Sequence, residues 1–168
     1  MKEYASDLIR NVAVVSHDGA GKTALVESLL LACGAVQSVG KGQDNKHIMD
    51  FEPEEIKRNV TIQIGMAPCE WENYKINFID TPGYSEFHGE VRAALRASDG
   101  MLMVLSATSG VEVDTIRAWD YGVELQMPRM AFINKWTWKG PTSLVLLKKC
   151  TIYSAKHHAT ADSNRRRS

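Results

Sequence analysis

The sequence has no apolar run long enough to cross a membrane, and cysteine is scarce, with three residues in 168. A transmembrane helix needs about 20 consecutive, mostly apolar residues, and the first residues also lack the apolar core of a secretory signal. Cys33, Cys69 and Cys150 are widely spaced and never form a Cys-x-x-Cys pair, so neither a disulfide framework nor a zinc site is predicted. These absences favour a protein of the reducing cytoplasm with no membrane segment.

Acidic residues are nearly absent from the end of the chain, although the net charge of the whole is zero. Residues 136–168 hold seven lysines and arginines and one aspartate, a charge of +6, which leaves 13 basic and 19 acidic residues, or −6, in residues 1–135. A basic tail of this kind can indicate nucleic-acid binding. The shift in composition divides the chain at residue 135, and the length suits one domain with its own core.

Short apolar runs alternate with amphipathic stretches through the first 135 residues. This alternation is typical of a parallel α/β sheet with crossover helices. Residues 40–59 show no period, and a stretch of that length is either disordered or a functional loop. The predicted strands are Val12–Val15, Thr61–Ala67, Tyr74–Ile79, Met101–Leu105 and Met130–Ile133, and the predicted helices are Lys22–Cys33, Ser85–Ala97 and the stretch from Val113 to Val123.

The residues between the first strand and the first helix have the composition of a phosphate-binding loop, or P-loop. They are Ser16, His17, Asp18, Gly19, Ala20, Gly21, Lys22 and Thr23. The backbone N–H groups of such a loop wrap phosphates with help from the helix dipole, while Lys22 would reach the β- and γ-phosphates and Thr23 would bind Mg²⁺. Ser16 stands where the GxxxxGK[ST] pattern has its first glycine, and the alternative is a chance glycine-rich turn.

Three further segments, together with the P-loop, resemble the GTP-binding domain of translation factors, elongation factor G in particular. The stretch 50–62 resembles the first switch of that family, and the resemblance implies that Thr61 closes on Mg²⁺ and the γ-phosphate, although Thr61 can equally begin a strand. Asp80, Thr81, Pro82 and Gly83 resemble the second switch. In that role the Asp80 carboxylate holds the Mg²⁺ shell and the Gly83 N–H bonds the γ-phosphate, whereas the alternative is a simple turn.

Tyr84 stands where the resemblance predicts the histidine that orients the attacking water. A phenol with an ordinary pKa of about 10 is neutral near pH 7 and is a poor base, so the rate of hydrolysis is in doubt. Some diverged members of the family also carry tyrosine here. His88 lies one helical turn further on, where it could share the face of Tyr84 and take over the catalytic role. A solvated surface histidine accounts for this position equally well.

The third segment, Asn134 and Lys135, resembles the start of the Asn-Lys-x-Asp sequence that reads guanine in this family. The lysine covers the base, and the aspartate accepts hydrogen bonds from its ring N–H and amino group. Thr137 replaces that aspartate here. A hydroxyl accepts one such bond and carries no charge, so we expect weaker binding and a weaker preference for guanine.

The codons of residues 135–140 suggest why the pattern stops. In the reading frame that begins at the third base of each of these codons, the bases must encode Asp and Glu and can encode Met, Val and Gly. This series resembles the residues that follow Asn-Lys in the family. Our hypothesis is that residues 136–168 are translated out of frame and have no selected fold. The Ser154–Lys156 segment, which resembles a guanine-binding Ser-Ala-Lys, and the arginines at 165–167 are then coincidental.

The resemblance implies a P-loop GTPase fold, an open, mostly parallel sheet with helices on both faces, incomplete at its C-terminal end. It also implies GTP or GDP and Mg²⁺ as cofactors, Mg²⁺-dependent hydrolysis of GTP as the activity, and the ribosome as a partner. Two alternatives stay open. One is a non-catalytic remnant that binds nucleotide phosphates weakly, and the other is a P-loop NTPase of another class, such as an ATPase or a kinase.

Overall fold

A computed structural model describes residues 2–37, 49, 54–55 and 61–136. Five strands form one sheet in the order β2-β3-β1-β4-β5, and three α-helices are described in full. The strands are β1 (Ile9–Val15), β2 (Gly65–Trp71), β3 (Tyr74–Asp80), β4 (Gly100–Ser106) and β5 (Arg129–Asn134). The helices are α1 (Lys22–Ala32), α2 (His88–Arg96) and α3 (Val113–Glu124).

The sheet is mostly parallel, as predicted. β1 pairs in parallel with β3 on one side and β4 on the other, and β4 pairs in parallel with β5. Only β2 runs antiparallel, because a two-residue turn at Glu72 and Asn73 joins it to β3 as a hairpin. β1 therefore lies at the point where the chain changes direction across the sheet, which is where open α/β sheets bind their ligands.

Helices cover both faces of the sheet, and each face has its own core. Val14 of β1 packs towards α1 with Val26, while Val15 points the other way and packs with Leu95 of α2. Successive residues of a strand point to opposite faces, so the part of a central strand that has a helix on each side is apolar at successive positions. The apolar run Val12–Val15 at the end of β1 reflects this double burial.

The start of β2 differs from the prediction. The expected strand Thr61–Ala67 begins only at Gly65 and continues to Trp71. The N–H groups of Ile62 and Gln63 donate to the Glu55 carboxylate, at 2.8 and 2.9 Å, and so do not join the ladder of the sheet. The predicted helix Ser85–Ala97 also opens differently, because Ser85–Phe87 forms a 3-10 turn ahead of α2.

β5 is the outermost strand of the described part of the sheet, and two of its large apolar side chains face solvent. Met130 is 69% exposed and Phe132 is 41% exposed. In the part of the chain that the structure describes, no helix has both the length and the apolarity to cross a membrane. Thr137 and the predictions for residues 137–168, including the out-of-frame hypothesis, lie outside the described residues.

Candidate functional site

Three of the segments predicted to bind nucleotide follow the carboxyl ends of parallel strands. The P-loop follows β1, Asp80 ends β3, and Asn134 ends β5. The parallel register brings these ends to one edge of the sheet, since Val14 pairs with Asp80 and Ser106 pairs with Asn134. The topology alone therefore gathers residues separated by more than a hundred positions.

The P-loop depends on two glycines with left-handed backbone. Gly19 has φ +70° and Gly21 has φ +91°, a region that L side chains rarely adopt. A Cβ on Gly21 would also lie 2.5 Å from Nδ2 of Asn134, so this position has no room for a side chain. Glycine at these two positions thus gives the loop the tight turn ahead of α1 that a phosphate-binding loop needs.

Lys22 is the buried cation of the site. Its side chain is 5% exposed, and Nζ donates to the carbonyl of His17 at 3.1 Å. Burial lowers the pKa of Lys22, while the charges of Asp80 and Asp18 act in the opposite direction. An ammonium group buried beside a ring of N–H groups is well placed to neutralise a phosphate.

Oxygen donors suited to a magnesium ion meet next to this lysine. Thr23 Oγ1 donates to Asp80 Oδ2 at 2.6 Å and lies 3.1 Å from Thr61 Oγ1. Mg²⁺ prefers hard oxygen ligands and usually keeps several waters and phosphate oxygens in its shell, so two hydroxyls and one carboxylate fit it. Thr61 lies ahead of β2 and not within a strand, which leaves its hydroxyl at the site.

The segment after β3 lies directly against the P-loop. A Cβ on Gly83 would lie 2.6 Å from Lys22 Nζ and 2.7 Å from the N and Cα atoms of Asp18. Thr81 is fully buried and donates from its hydroxyl to the Val14 carbonyl at 2.8 Å, while Pro82 is buried beside it. Thr81 and Pro82 therefore hold the main chain of Gly83 against Lys22 and the P-loop.

Tyr84 and Asp18 join the second switch to the P-loop, a contact that the sequence pattern did not indicate. Hydrogen bonding to the Asp18 carboxylate, followed by the Asp18 charge, raises the pKa of Tyr84. The phenol is therefore even less able to act as a base near pH 7. His88 does not face this site, because its Nε2 lies 3.3 Å from Asp114 and 3.1 Å from Arg117 of α3.

The His17 side chain points away from the phosphate cradle. It is 2% exposed, with Nδ1 at 2.9 Å from the Thr115 hydroxyl and Nε2 at 3.0 Å from the Ser109 hydroxyl and 3.3 Å from Glu112. Burial lowers the pKa of His17, and the Glu112 charge opposes this. The His17 ring therefore fastens the loop to α3, and of this residue the main chain is left to line the predicted phosphate cradle.

Asn134 and Lys135 hold the P-loop from the other side. Asn134 Nδ2 donates to the carbonyl of the fully buried Ala20 at 3.0 Å, and Lys135 Nζ donates to the carbonyl of Gly19 at 2.6 Å. Lys135 itself has φ +56°, and its N–H donates to the Asn134 side chain at 2.8 Å. The predicted base-recognition residues are therefore in contact with the predicted phosphate-binding residues.

Comparison with known proteins agrees with this geometry. The family model of the elongation factor Tu GTP-binding domain matches residues 7–138. Elongation factor G 2 of Geobacter metallireducens is 40% identical over 135 residues, which are 80% of this chain and 20% of that protein. Ribosome-releasing factor 2, mitochondrial, of Scheffersomyces stipitis is 36% identical over 135 residues, 80% of this chain and 16% of that protein. The chain thus spans about a fifth of the length of these relatives.

Solved structures show the same architecture. A protein from Thermus thermophilus is 39% identical and superposes with a TM-score of 0.78, covering 84% of this chain and 21% of that one. Translation elongation factor SelB of Methanococcus maripaludis, solved with the GTP analogue GPPNHP, is 21% identical with a TM-score of 0.64, covering 84% of this chain and 25% of that one. At this lower identity the second match supports the fold alone.

Proposed function

This chain belongs to the elongation factor Tu GTP-binding domain family, and on that premise we propose that it binds GTP and GDP with Mg²⁺ and hydrolyses GTP slowly, as part of an elongation factor G-like translation factor. The observation that carries the proposal is the convergence of Lys22, Thr23, Asp80 and Gly83 on one cradle at the edge of the sheet. The four residues come from two different strand ends and match the parts of a phosphoryl-transfer site.

Each group has a distinct proposed role. Main-chain N–H groups of the P-loop and of Gly83 bind phosphate oxygens, and Lys22 neutralises the β- and γ-phosphates. Thr23, Thr61 and Asp80 hold Mg²⁺, which supplies positive charge to the β- and γ-phosphate oxygens when bound. Asn134 and Lys135 place the base, with Lys135 held over the loop by its bond to Gly19.

The catalytic step is the weak part of the site. Hydrogen bonding to Asp18 raises the pKa of Tyr84, so the neutral phenol can position a water molecule but cannot take a proton from it near pH 7. Hydrolysis by the isolated chain is therefore proposed to be slow. This same observation favours the second candidate, a non-catalytic remnant that binds nucleotide phosphates weakly, over a rapid enzyme.

We also propose the ribosome as a partner and the cytoplasm as the location. Both proposals rest on the resemblance to translation factors and on relatives named elongation factor G and ribosome-releasing factor. One of these relatives is named mitochondrial, so the location is the less supported of the two. Co-sedimentation of the chain with ribosomes, in the presence and absence of GTP, tests the partner directly.

Titration with a fluorescent guanine nucleotide tests the central proposal. We expect saturable, Mg²⁺-dependent binding that falls about 10- to 100-fold in Lys22→Ala, because a hydrogen bond to a charged group contributes about 1.5–3 kcal/mol. Lys2→Ala is the matched control, since Lys2 is an exposed lysine paired with Glu70. Equal binding by Lys22→Ala would refute the proposed cradle. Absence of saturable binding by folded protein favours the remnant, and equal displacement by ATP favours another class of NTPase.

A further inference from the structure

A pair of cysteines lies away from the nucleotide edge of the sheet. Cys33 caps the end of α1, and Cys69 lies in β2 opposite Ile76, near the start of β3. The phosphate site lies at the other end of β3, at Asp80. The two cysteines line one cavity of about 430 Å³, together with Lys2 and two residues of the β2–β3 hairpin, Glu70 and Lys75.

The two thiols line the same cavity and pack in the same core cluster, but they differ in their access to solvent. Cys69 is 2% exposed and belongs to the core cluster between α1 and the sheet, whereas Cys33 is half-buried at the rim of that cluster. Burial and a hydrogen bond with Cys33 raise the pKa of the Cys69 thiol to about 12. Cys33 is therefore the thiol that a dissolved reagent meets first, since thiolate character and exposure decide reactivity.

We propose that Cys33 and Cys69 form an intramolecular disulfide on reaction with a small disulfide, which makes this cavity a thiol–disulfide exchange site separate from the nucleotide site. The Cys33 thiolate attacks one sulfur of the reagent, whose S–S bond breaks and releases one thiol. The Cys69 sulfur then attacks Cys33 Sγ and releases the second thiol. The cysteine pair loses two electrons to the reagent, and its two protons leave with the released thiols.

The charges around the cavity favour an anionic reagent. Lys2 and Lys75 supply two ammonium groups, and Glu70 supplies one carboxylate that lies 3.6 Å from Lys2 Nζ. The net positive charge raises the local concentration of a disulfide that carries carboxylates, such as oxidised glutathione. The product links the end of α1 to β2 and encloses residues 34–68 in a covalent ring, which restricts the unfolded chain.

The experiment uses the whole chain with Cys150→Ser, so that only the proposed pair can react. After treatment with oxidised glutathione and alkylation, the intact protein should lose about 2 Da, and non-reducing digestion should give a peptide that joins Cys33 to Cys69. Urea unfolding should shift to higher concentration after oxidation and return on reduction. In the matched control with Cys69→Ser as well, the reaction should stop at a glutathione adduct on Cys33.

Two results would overturn the proposal: a stable glutathione adduct on Cys33 with no internal link, or no reaction in the folded protein under conditions that oxidise the denatured chain. Cys69→Ala serves as a second control if serine in the core prevents folding, because alanine introduces no polar group. No nucleotide is present in this experiment. Its failure would therefore leave the proposed GTP binding unaffected, and the reverse also holds.

Discussion

Gly83→Ala is the substitution that tests most directly how closely the second switch lies against the P-loop. An added Cβ would lie 2.7 Å from the N and Cα atoms of Asp18 and 2.6 Å from Lys22 Nζ. Two of these atoms are backbone and cannot move aside as a flexible side chain does. The loop must shift by several tenths of an ångström, and overpacking of this kind typically costs about 1–3 kcal/mol.

The expected consequences follow from which atoms must move. Urea unfolding should show a loss of stability of about 1–3 kcal/mol. Binding of a fluorescent GTP analogue should weaken about tenfold or more, because a change of about 1.4 kcal/mol in the phosphate contacts equals a factor of ten. GDP should be affected less, since Gly83 lies against Lys22 at the expected position of the γ-phosphate.

Gly89→Ala is the matched control. Gly89 lies in α2 with nothing within 4 Å of its added Cβ, and alanine is the better helix former by up to about 1 kcal/mol. The control should be as stable as the parent or more so, with unchanged nucleotide binding. If Gly83→Ala behaved like Gly89→Ala in both assays, the close approach of the two segments would be refuted.

Three further substitutions probe other parts of the site. Tyr84→Phe should lower single-turnover GTP hydrolysis by much less than the ~100-fold loss expected of a general base, because the raised pKa of Tyr84 keeps it neutral; a larger loss would show that the phenol takes part in proton transfer. Thr137→Asp should raise the preference for GTP over ATP by about 10- to 100-fold in competition binding, and an unchanged ratio would contradict the assigned register. His17→Asn should remove part of the loss of stability below about pH 6.5. The lowered pKa of His17 means that the unfolded chain takes up a proton there before the folded chain does. Urea midpoints at neutral and mildly acidic pH check this, and identical pH slopes for variant and parent would rule it out.

The strand, loop and helix around the proposed phosphate site were predictable because their signals are local. A buried strand, a glycine-rich loop with Lys22 and Thr23, and a helix start follow one another directly in the sequence, and the structure confirms that order. Asp80 and Asn134 were predictable for the related reason that each directly follows a buried apolar run. Strand ends in a parallel sheet meet at one edge whatever the intervening loops contain.

The missed features depend on contacts between distant residues. The His17 ring bonds Thr115, 98 positions away, and no local pattern distinguishes this role from a phosphate contact. The start of β2 was misplaced because Ile62 and Gln63 bond to the Glu55 carboxylate, although both suit a strand by composition. Pro68 did not end the strand, because β2 is an edge of the described sheet and proline is tolerated there.

The cradle and the two unusual positions affect different steps of the proposed reaction. In the proposed site, phosphate is bound by main-chain N–H groups and Lys22, and Asn134 and Lys135 support the loop by donating to its carbonyls. By the family resemblance, Tyr84 stands in place of the histidine proposed to act on the water, and Thr137 stands in place of the aspartate proposed to read the base. Neither substitution removes a group from the cradle. Binding of the nucleotide phosphates should therefore persist where hydrolysis and base selection decline. Substitutions in the cradle and substitutions at Tyr84 or Thr137 should affect these properties independently.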